Sequence, residues 1–140
     1  MTDSRFDIGL KVRREVLGSE YVEQSLARVT EFDADFQHYI TEAAWGSVWA
    51  RPDLDRRTRS LVTIAILAAL GRDELALHLQ ASRNTGVELQ EITEVLLHVA
   101  VYAGVPAANS AFATAKRVLD QSARPSKEGD AGNQPEEEDA

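Results

Sequence analysis

Three features of this 140-residue chain predict an all-α fold. Apolar residues recur at three- and four-residue spacing almost throughout. No stretch alternates apolar and polar residues as a half-buried strand would. Gly, Pro, Ser and Asp punctuate the chain at intervals that suit helix ends. The first helix should run from about Ser4 to Leu17 and stop at Gly18, after which Ser19 can cap a second one reaching about Val29. A third covers roughly Glu31 to Trp45 and gives way to the loop "RPDLD", where Pro52 pushes Arg51 into an extended conformation. Asp55 can cap the fourth helix and Gly71 end it; Asp73 can start the fifth and Gly86 end that. The sixth runs from about Glu88 to Ala103. Gly104 then breaks the chain, and Pro106 suits the first turn of a seventh helix ending near Gln121. Residues 1–121 therefore read as one domain of about seven helices. Residues 122–140 lack large apolar side chains and read as a disordered acidic tail.

Some helices have more apolar surface than one small core can use. At 100° per residue, Phe32, Phe36, Tyr39, Ile40 and Ala43 share one face of the third helix, while His38, Glu42 and Trp45 line up nearly opposite. The fourth and sixth helices ("LVTIAILAAL", "VLLHVAVYA") are apolar nearly all round. Such helices are either central or covered by another subunit, so a homo-oligomer is expected.

Charge narrows the partners. The net charge is −8, of which the segment 121–140 carries −4, so the body is mildly acidic. Without a stripe rich in Lys and Arg, neither nucleic acid nor an anionic membrane is an expected partner. The absence of cysteine removes disulfides, thiolate nucleophiles and CxxC chemistry, and makes a cytoplasmic protein the default. The N-terminus has no continuous apolar stretch of the signal-peptide kind, and the longest apolar run, Leu61 to Leu70, is about half of what crosses a bilayer.

Arg56, Arg57 and Arg59 crowd the first turns of the fourth helix, where the macrodipole opposes cations and favours Asp or Glu. An anion bound at the helix start would account for them, held by backbone N–H groups and by the planar fork of an arginine. The alternative is ordinary surface pairing with Asp53, Asp55 or Glu42. Arg59, nearest the apolar run, is the candidate for a buried carboxylate clamp. His78 lies among Leu75, Leu77 and Leu79, with Glu74 one turn earlier to orient the imidazole and raise its pKa. It is either a proton donor near neutral pH or a satisfied core histidine. Glu94, His98 and Tyr102 follow at successive i+4 steps and read as a buried or interfacial polar line; His38 reads as solvent-facing or interfacial. No HExxH, paired-carboxylate metal spacing, glycine-rich phosphate loop or nucleophile elbow is present.

The stretch from "RPDLDRRTRSLVTIAILAALGRDELALH" through "YAGVPAANSAF", together with "HYITEAAWGSVWARP" before it, resembles the 4-carboxymuconolactone decarboxylases of bacterial protocatechuate breakdown. The resemblance covers about Arg5 to Leu119. In the related alkylhydroperoxidase-like proteins the active site is C-x-x-C-x-x-x-H. With His78 in the histidine place, the cysteine places fall on Gly71 and Glu74, so peroxidase chemistry is not expected. The resemblance implies the alkylhydroperoxidase-like helical fold, a ring-shaped homohexamer and a decarboxylation that needs no cofactor or metal. Its substrate would be a dianionic lactone, converted to 3-oxoadipate enol-lactone and carbon dioxide. In that setting Arg59, with Arg51 in support, is expected to bind carboxylate. His78 is the proton donor or oxyanion partner, Glu74 sets its charge, and Trp45 and Tyr102 wall the pocket. Glu42 either orients an arginine or, if buried, is itself the acid. The competing readings are a relative acting on another anionic lactone or keto acid, and a catalytically silent helical assembly.

Overall fold

Helix α1 (Arg5–Leu17) starts from a reciprocal cap. The Ser4 hydroxyl accepts from the Asp7 N–H at 3.1 Å, and the Ser4 N–H donates to the Asp7 carboxylate at 3.2 Å, so two donors that a helix start leaves orphaned are satisfied. In the computed structural model, which describes residues 2–121, six further α-helices follow: α2 (Ser19–Ala27), α3 (Ala34–Ile40), α4 (Arg56–Leu70), α5 (Leu75–Ala81), α6 (Leu89–Tyr102) and α7 (Val105–Gln121). No strand occurs among the described residues, as an all-α fold requires. The expected acidic tail, 122–140, lies outside them.

Two apolar clusters organise the helices. One is aliphatic and shared by α4 to α7, with Ile64, Leu79 and Leu96 fully buried at its centre. The other joins α1 and α2 to the segment after α3 through Val12, Val16, Leu17, Val22, Trp45 and Ala81. Helix α5 belongs to both, because Leu75 and Leu79 point into the first cluster while Leu77 and Ala81 pack on the second. His78 is carried at this seam.

The third helix departs from its expected course. It is α-helical only over Ala34–Ile40 and then widens into a π-helix over Thr41–Trp49. Of the two faces expected to be covered, one is outside within the single chain: Phe32 is 99 % exposed, and Phe36 and Tyr39 are exposed as well. The opposite side goes in, with Trp45 only 6 % exposed within the single chain. A single α-helical wheel does not hold here: Phe32 lies before the helix starts at Ala34, and the change of pitch at Thr41 re-aims Trp45 and every later side chain. The fourth helix matches its expected bounds: Asp55 caps it through the Thr58 N–H at 2.7 Å, and Gly71 closes it at φ 66° in the left-handed region. Asp73 does not cap α5, which follows Glu74 without any side-chain cap.

Large apolar side chains remain outside along one side of the molecule. Val62, Ile66 and Leu70 of α4, Leu97, Val101 and Tyr102 of α6, and Val105 of α7 are all exposed. Of these, Val62, Ile66 and Tyr102 border a largely apolar groove of about 780 Å³ between α4 and α6 that also takes in Leu61, Ala65, Val95 and His98.

Candidate functional site

The site is built around the seam. Trp45 and Trp49 lie one turn apart on the π-helix, their rings stacked with centroids 5.0 Å apart. Trp49 then stacks on His78 of α5 at 6.3 Å, with ring planes only 16° apart. Burial disfavours the charged imidazole and lowers the His78 pKa; the Glu74 carboxylate pulls the other way and loses. The expected upward shift is thus reversed. Glu74 is exposed at the start of α5, where its backbone carbonyl accepts the His78 N–H at 3.2 Å, so its side chain acts on the ring only through space. A neutral imidazole still carries one N–H, which can donate to a developing oxyanion.

The four arginines before the apolar run separate into two kinds. Arg51 pairs with Asp53 at 3.2 Å, Arg56 with Glu15 and Arg57 with Glu91, all on the surface. For these three the ordinary pairing is the one realised. At the helix start Asp55 itself is the capping anion, its carboxyl held below the usual range by the Thr58 N–H and hydroxyl. Arg59 is different. Its Nη2 reaches the Arg51 carbonyl at 3.4 Å, its Nε is buried with no acceptor, and it has no carboxylate partner among the described residues. A buried donor without an acceptor costs about 1–3 kcal/mol, which an incoming carboxylate oxygen would relieve. The Nε atoms of Arg13 and Arg14 share this condition, but Arg14 is paired with Glu23 and Arg13 is held by three other side chains.

His78 and Arg59 meet opposite ends of one short segment. The ring lies against Trp49 and the guanidinium against the carbonyl of Arg51. Those two residues are two positions apart, and so within about 7 Å along the backbone. One short segment thus contacts a neutral imidazole through its indole and a cation short of an acceptor through its carbonyl, groups whose chemistry suits proton donation and carboxylate binding.

The remaining expected residues go elsewhere. Tyr102 is 80 % exposed, lies tilted against His98 with ring centroids 4.9 Å apart, and borders the groove between α4 and α6 rather than the His78 site. The reason is angular: α6 buries Ile92, Leu96 and Val99, and at 100° per residue His98 and Tyr102 fall well off that stripe. Glu94 bonds to Gln90 at 3.3 Å, and all three members of its polar line are exposed rather than buried. Glu42 orients no arginine; its carboxylate lies 3.9 Å from His38 Nδ1, and His38 in turn stacks on Phe6 at 4.6 Å. With a side chain 43 % exposed, Glu42 also lacks within one chain the burial on which its role as an acid depended. Trp45 is buried and stacks on Trp49, and its contact with His78 is made only through that ring.

Sequence reasoning passed over Trp49 and Arg13. The four-residue spacing of Trp45 and Trp49 is a readable sign of rings on one helical face. Arg13 gives no such sign, since nothing local marks it as one of the few buried polar side chains. Among the described residues no group of three or more His, Asp or Glu is placed to hold a metal ion, and no helix is long and apolar enough to cross a membrane.

Comparison with known proteins places this geometry in a family context. Residues 34–117 match the family described as carboxymuconolactone decarboxylase. A 4-carboxymuconolactone decarboxylase from Acinetobacter baylyi is 52 % identical over 118 residues, covering 84 % of this chain and 88 % of that protein. A nitrosuccinic acid decarboxylase from Metarhizium robertsii is 46 % identical over 117 residues, 81 % of this chain and 80 % of the relative. A 4-carboxymuconolactone decarboxylase sequence from Pseudomonas putida is 43 % identical over 42 residues, which span 30 % of this chain and 88 % of the relative.

Proposed function

The chain belongs to the carboxymuconolactone decarboxylase family, and from that premise we propose that it is a carbon–carbon lyase that decarboxylates 4-carboxymuconolactone to 3-oxoadipate enol-lactone and carbon dioxide in aromatic catabolism. The observation that carries the site assignment is the buried Arg59 Nε without an acceptor, on a guanidinium that meets the Arg51 carbonyl two residues from the indole stacked on His78.

The chemistry asks little of the protein beyond electrostatics. As the carbon–carbon bond to the carboxylate breaks, its electron pair moves through the ring alkene to the lactone carbonyl. Negative charge develops on that oxygen, and a proton is then added at the ring carbon beside it. The substrate is its own electron sink, and the protein supplies an anchor, an oxyanion partner and a proton. Arg59 anchors the carboxylate of the acetate arm, giving the buried Nε its missing acceptor. Arg51 contributes its carbonyl to hold that guanidinium. His78, neutral in the empty site, donates its N–H to the developing oxyanion, and the arriving dianion favours a second proton on the ring, which then serves as the acid. Glu74 adds a negative field in the same direction. Trp45 and Trp49 keep this wall dry. Glu42 and Tyr102, at the surface of the single chain, enter only if a neighbouring copy covers them.

Such a neighbour is part of the proposal. The exposed apolar faces of α4 and α6 and the groove between them fit a homo-oligomer, a hexamer in our reading, working in the cytoplasm without cofactor or metal. An Ile66→Glu variant should elute as a smaller species by light scattering; an unchanged mass would remove this face from the interface. The activity itself is tested by generating 4-carboxymuconolactone enzymatically, adding the purified chain and following carbon dioxide and enol-lactone. One carbon dioxide per lactone is expected, with or without chelator. Nitrosuccinate is the discriminating competitor, because a nitro group can take the electron pair in place of a lactone carbonyl. Turnover of nitrosuccinate alone would move the chain to a different anionic acid, and turnover of neither would leave a silent assembly.

A further inference from the structure

We propose that Gly9, Arg13 and Gly46 are positioning residues of this decarboxylase: they hold residues 41–49 in the π register that brings Trp49 against His78. The claim rests on the His78 site described above and extends it to α1, which touches none of the reacting groups.

Two full turns of π-helix are unusual, since i→i+5 bonding appears mostly as single-turn bulges. Here the backbone i→i+5 pattern runs on to Ala50, whose N–H donates to the Trp45 carbonyl at 3.1 Å, and within the helix the Ser47 hydroxyl donates to the Glu42 carbonyl at 3.2 Å. Something outside the segment must select this register, and α1 is placed to do so. A Cβ built on Gly9 would lie 2.1 Å from the Thr41 carbonyl oxygen and 2.8 Å from the Gly46 nitrogen. One built on Gly46 would lie 2.3 Å from the Arg5 carbonyl oxygen. The two backbones touch where neither can carry a side chain.

The pair of residues that Gly9 meets is diagnostic. The atoms it meets, the Thr41 carbonyl oxygen and the Gly46 nitrogen, are five residues apart. In an α-helix that oxygen would accept from residue 45 and the Gly46 N–H would be turned about 100° further round, whereas i→i+5 bonding aims the Gly46 N–H at the Thr41 carbonyl. Close approach at Gly9 is thus compatible with the wide helix and not with the narrow one.

Arg13 secures the start of the change. It lies one turn after Gly9 on the same face of α1 and is 4 % exposed. Its Nη1 donates to the Thr41 hydroxyl at 3.2 Å, and its Nη2 to Gln37 Oε1 at 3.3 Å and the Ser25 hydroxyl at 3.5 Å. All its recorded partners are neutral. A buried cation without a carboxylate is a poor stabiliser next to a well-packed apolar side chain. What it does supply is a rigid fork that grips both sides of the junction, Gln37 before the widening and Thr41 at its first residue. Because a π-helix turns less per residue, an α register anchored at Thr41 would rotate Trp49, eight residues on, well away from α5.

The test compares Gly46→Ala, Arg13→Met, Arg13→Lys and the milder Ser47→Ala with the parent chain. The readouts are kcat and KM on the lactone, the tryptophan exciton band in circular dichroism that reports the Trp45–Trp49 stack, and the ring-current shift of the His78 imidazole by NMR. Gly46→Ala and Arg13→Met should retain helical content yet lose the exciton band and the His78 shift. Their kcat should fall about 10²-fold, the scale of a 1 Å misplacement, with KM changed far less. Arg13→Lys should not rescue, because an ammonium cannot bridge the junction as a fork does. Folded variants that keep both the spectral signatures and kcat overturn the proposal. If Gly46→Ala does not fold, Ser47→Ala decides it, with a partial loss of both signatures in support and none against. His78→Ala runs alongside: full turnover there defeats the site assignment alone, while the exciton band of Gly46→Ala still decides whether α1 sets the register.

Discussion

Between α4 and α7 the buried cluster consists of aliphatic side chains, whereas between α1 and the π-helix the interior holds a guanidinium, a tryptophan and two glycines in backbone contact. The first kind of packing is tolerant. Aliphatic groups of about the right volume fill it, and most of its value is area removed from water. The second kind is exacting, because a hydrogen-bond fork and a direct backbone approach each allow one geometry. Helix α5 lies between them, taking stability from one side and orientation from the other, and His78 sits at that meeting point. Tolerant apolar bulk and exacting side-chain orientation are thus furnished by different halves of a small chain.

The sharpest test of this division is the histidine. His78→Ala should lower kcat by about 10²–10⁴-fold, the range for a lost general acid, while the substrate still binds. Steady-state kinetics checks it, and unchanged turnover would break the assignment. On the aliphatic side, Leu96→Ala should cost about 2–5 kcal/mol in urea unfolding, as for other buried leucines, with turnover per folded molecule preserved. A loss of kcat beyond the unfolded fraction would mean that the two regions are not separable. Arg59→Met should act mainly on KM, raising it about 10- to 100-fold, in line with about 1.5–3 kcal/mol for a hydrogen bond to a charged group. An intact KM would leave the orphaned Nε without a purpose.

The smallest effect is in pH. Because burial lowers the His78 pKa, the folded state prefers the neutral ring and the unfolded chain binds the proton more readily. This contribution to stability is complete above the unfolded value of about 6.5 and is lost as pH falls from there through the lower folded value. Urea midpoints measured from pH 8 to 5 should decline at the acid end and decline less in His78→Gln. An equal slope in both would show that the seam does not desolvate the ring. Binding of an unreactive dicarboxylate should move the NMR titration of His78 upward.

Most of the helices are legible in the sequence, because their ends are marked locally. Ser4, Gly18, Asp55, Gly71 and Gly104 each act within a few residues of where they stand. The apolar surplus on α4 and α6 was legible for the same reason, being a property of one helix at a time. His78 and Arg59 were legible as residue types out of place: a lone imidazole among leucines, and a cation at the positive end of a helix. The fates of Arg56 and Arg57 were not. Their partners, Glu15 and Glu91, are more than thirty residues away, and no local pattern announces such a pairing.

By itself, then, the order of residues determined an all-helical chain, the boundaries of its strongly capped helices, and a short set of residues whose placement runs against ordinary helix chemistry. Tertiary structure decided the π register after Ile40, the burial of Trp45 in place of Phe36 and Tyr39, the direction of the His78 shift and which arginine was left without an acceptor. The physical reason is range. Caps and periodicity act over one or two turns, whereas pitch, burial and charge compensation depend on what a distant helix brings against each residue.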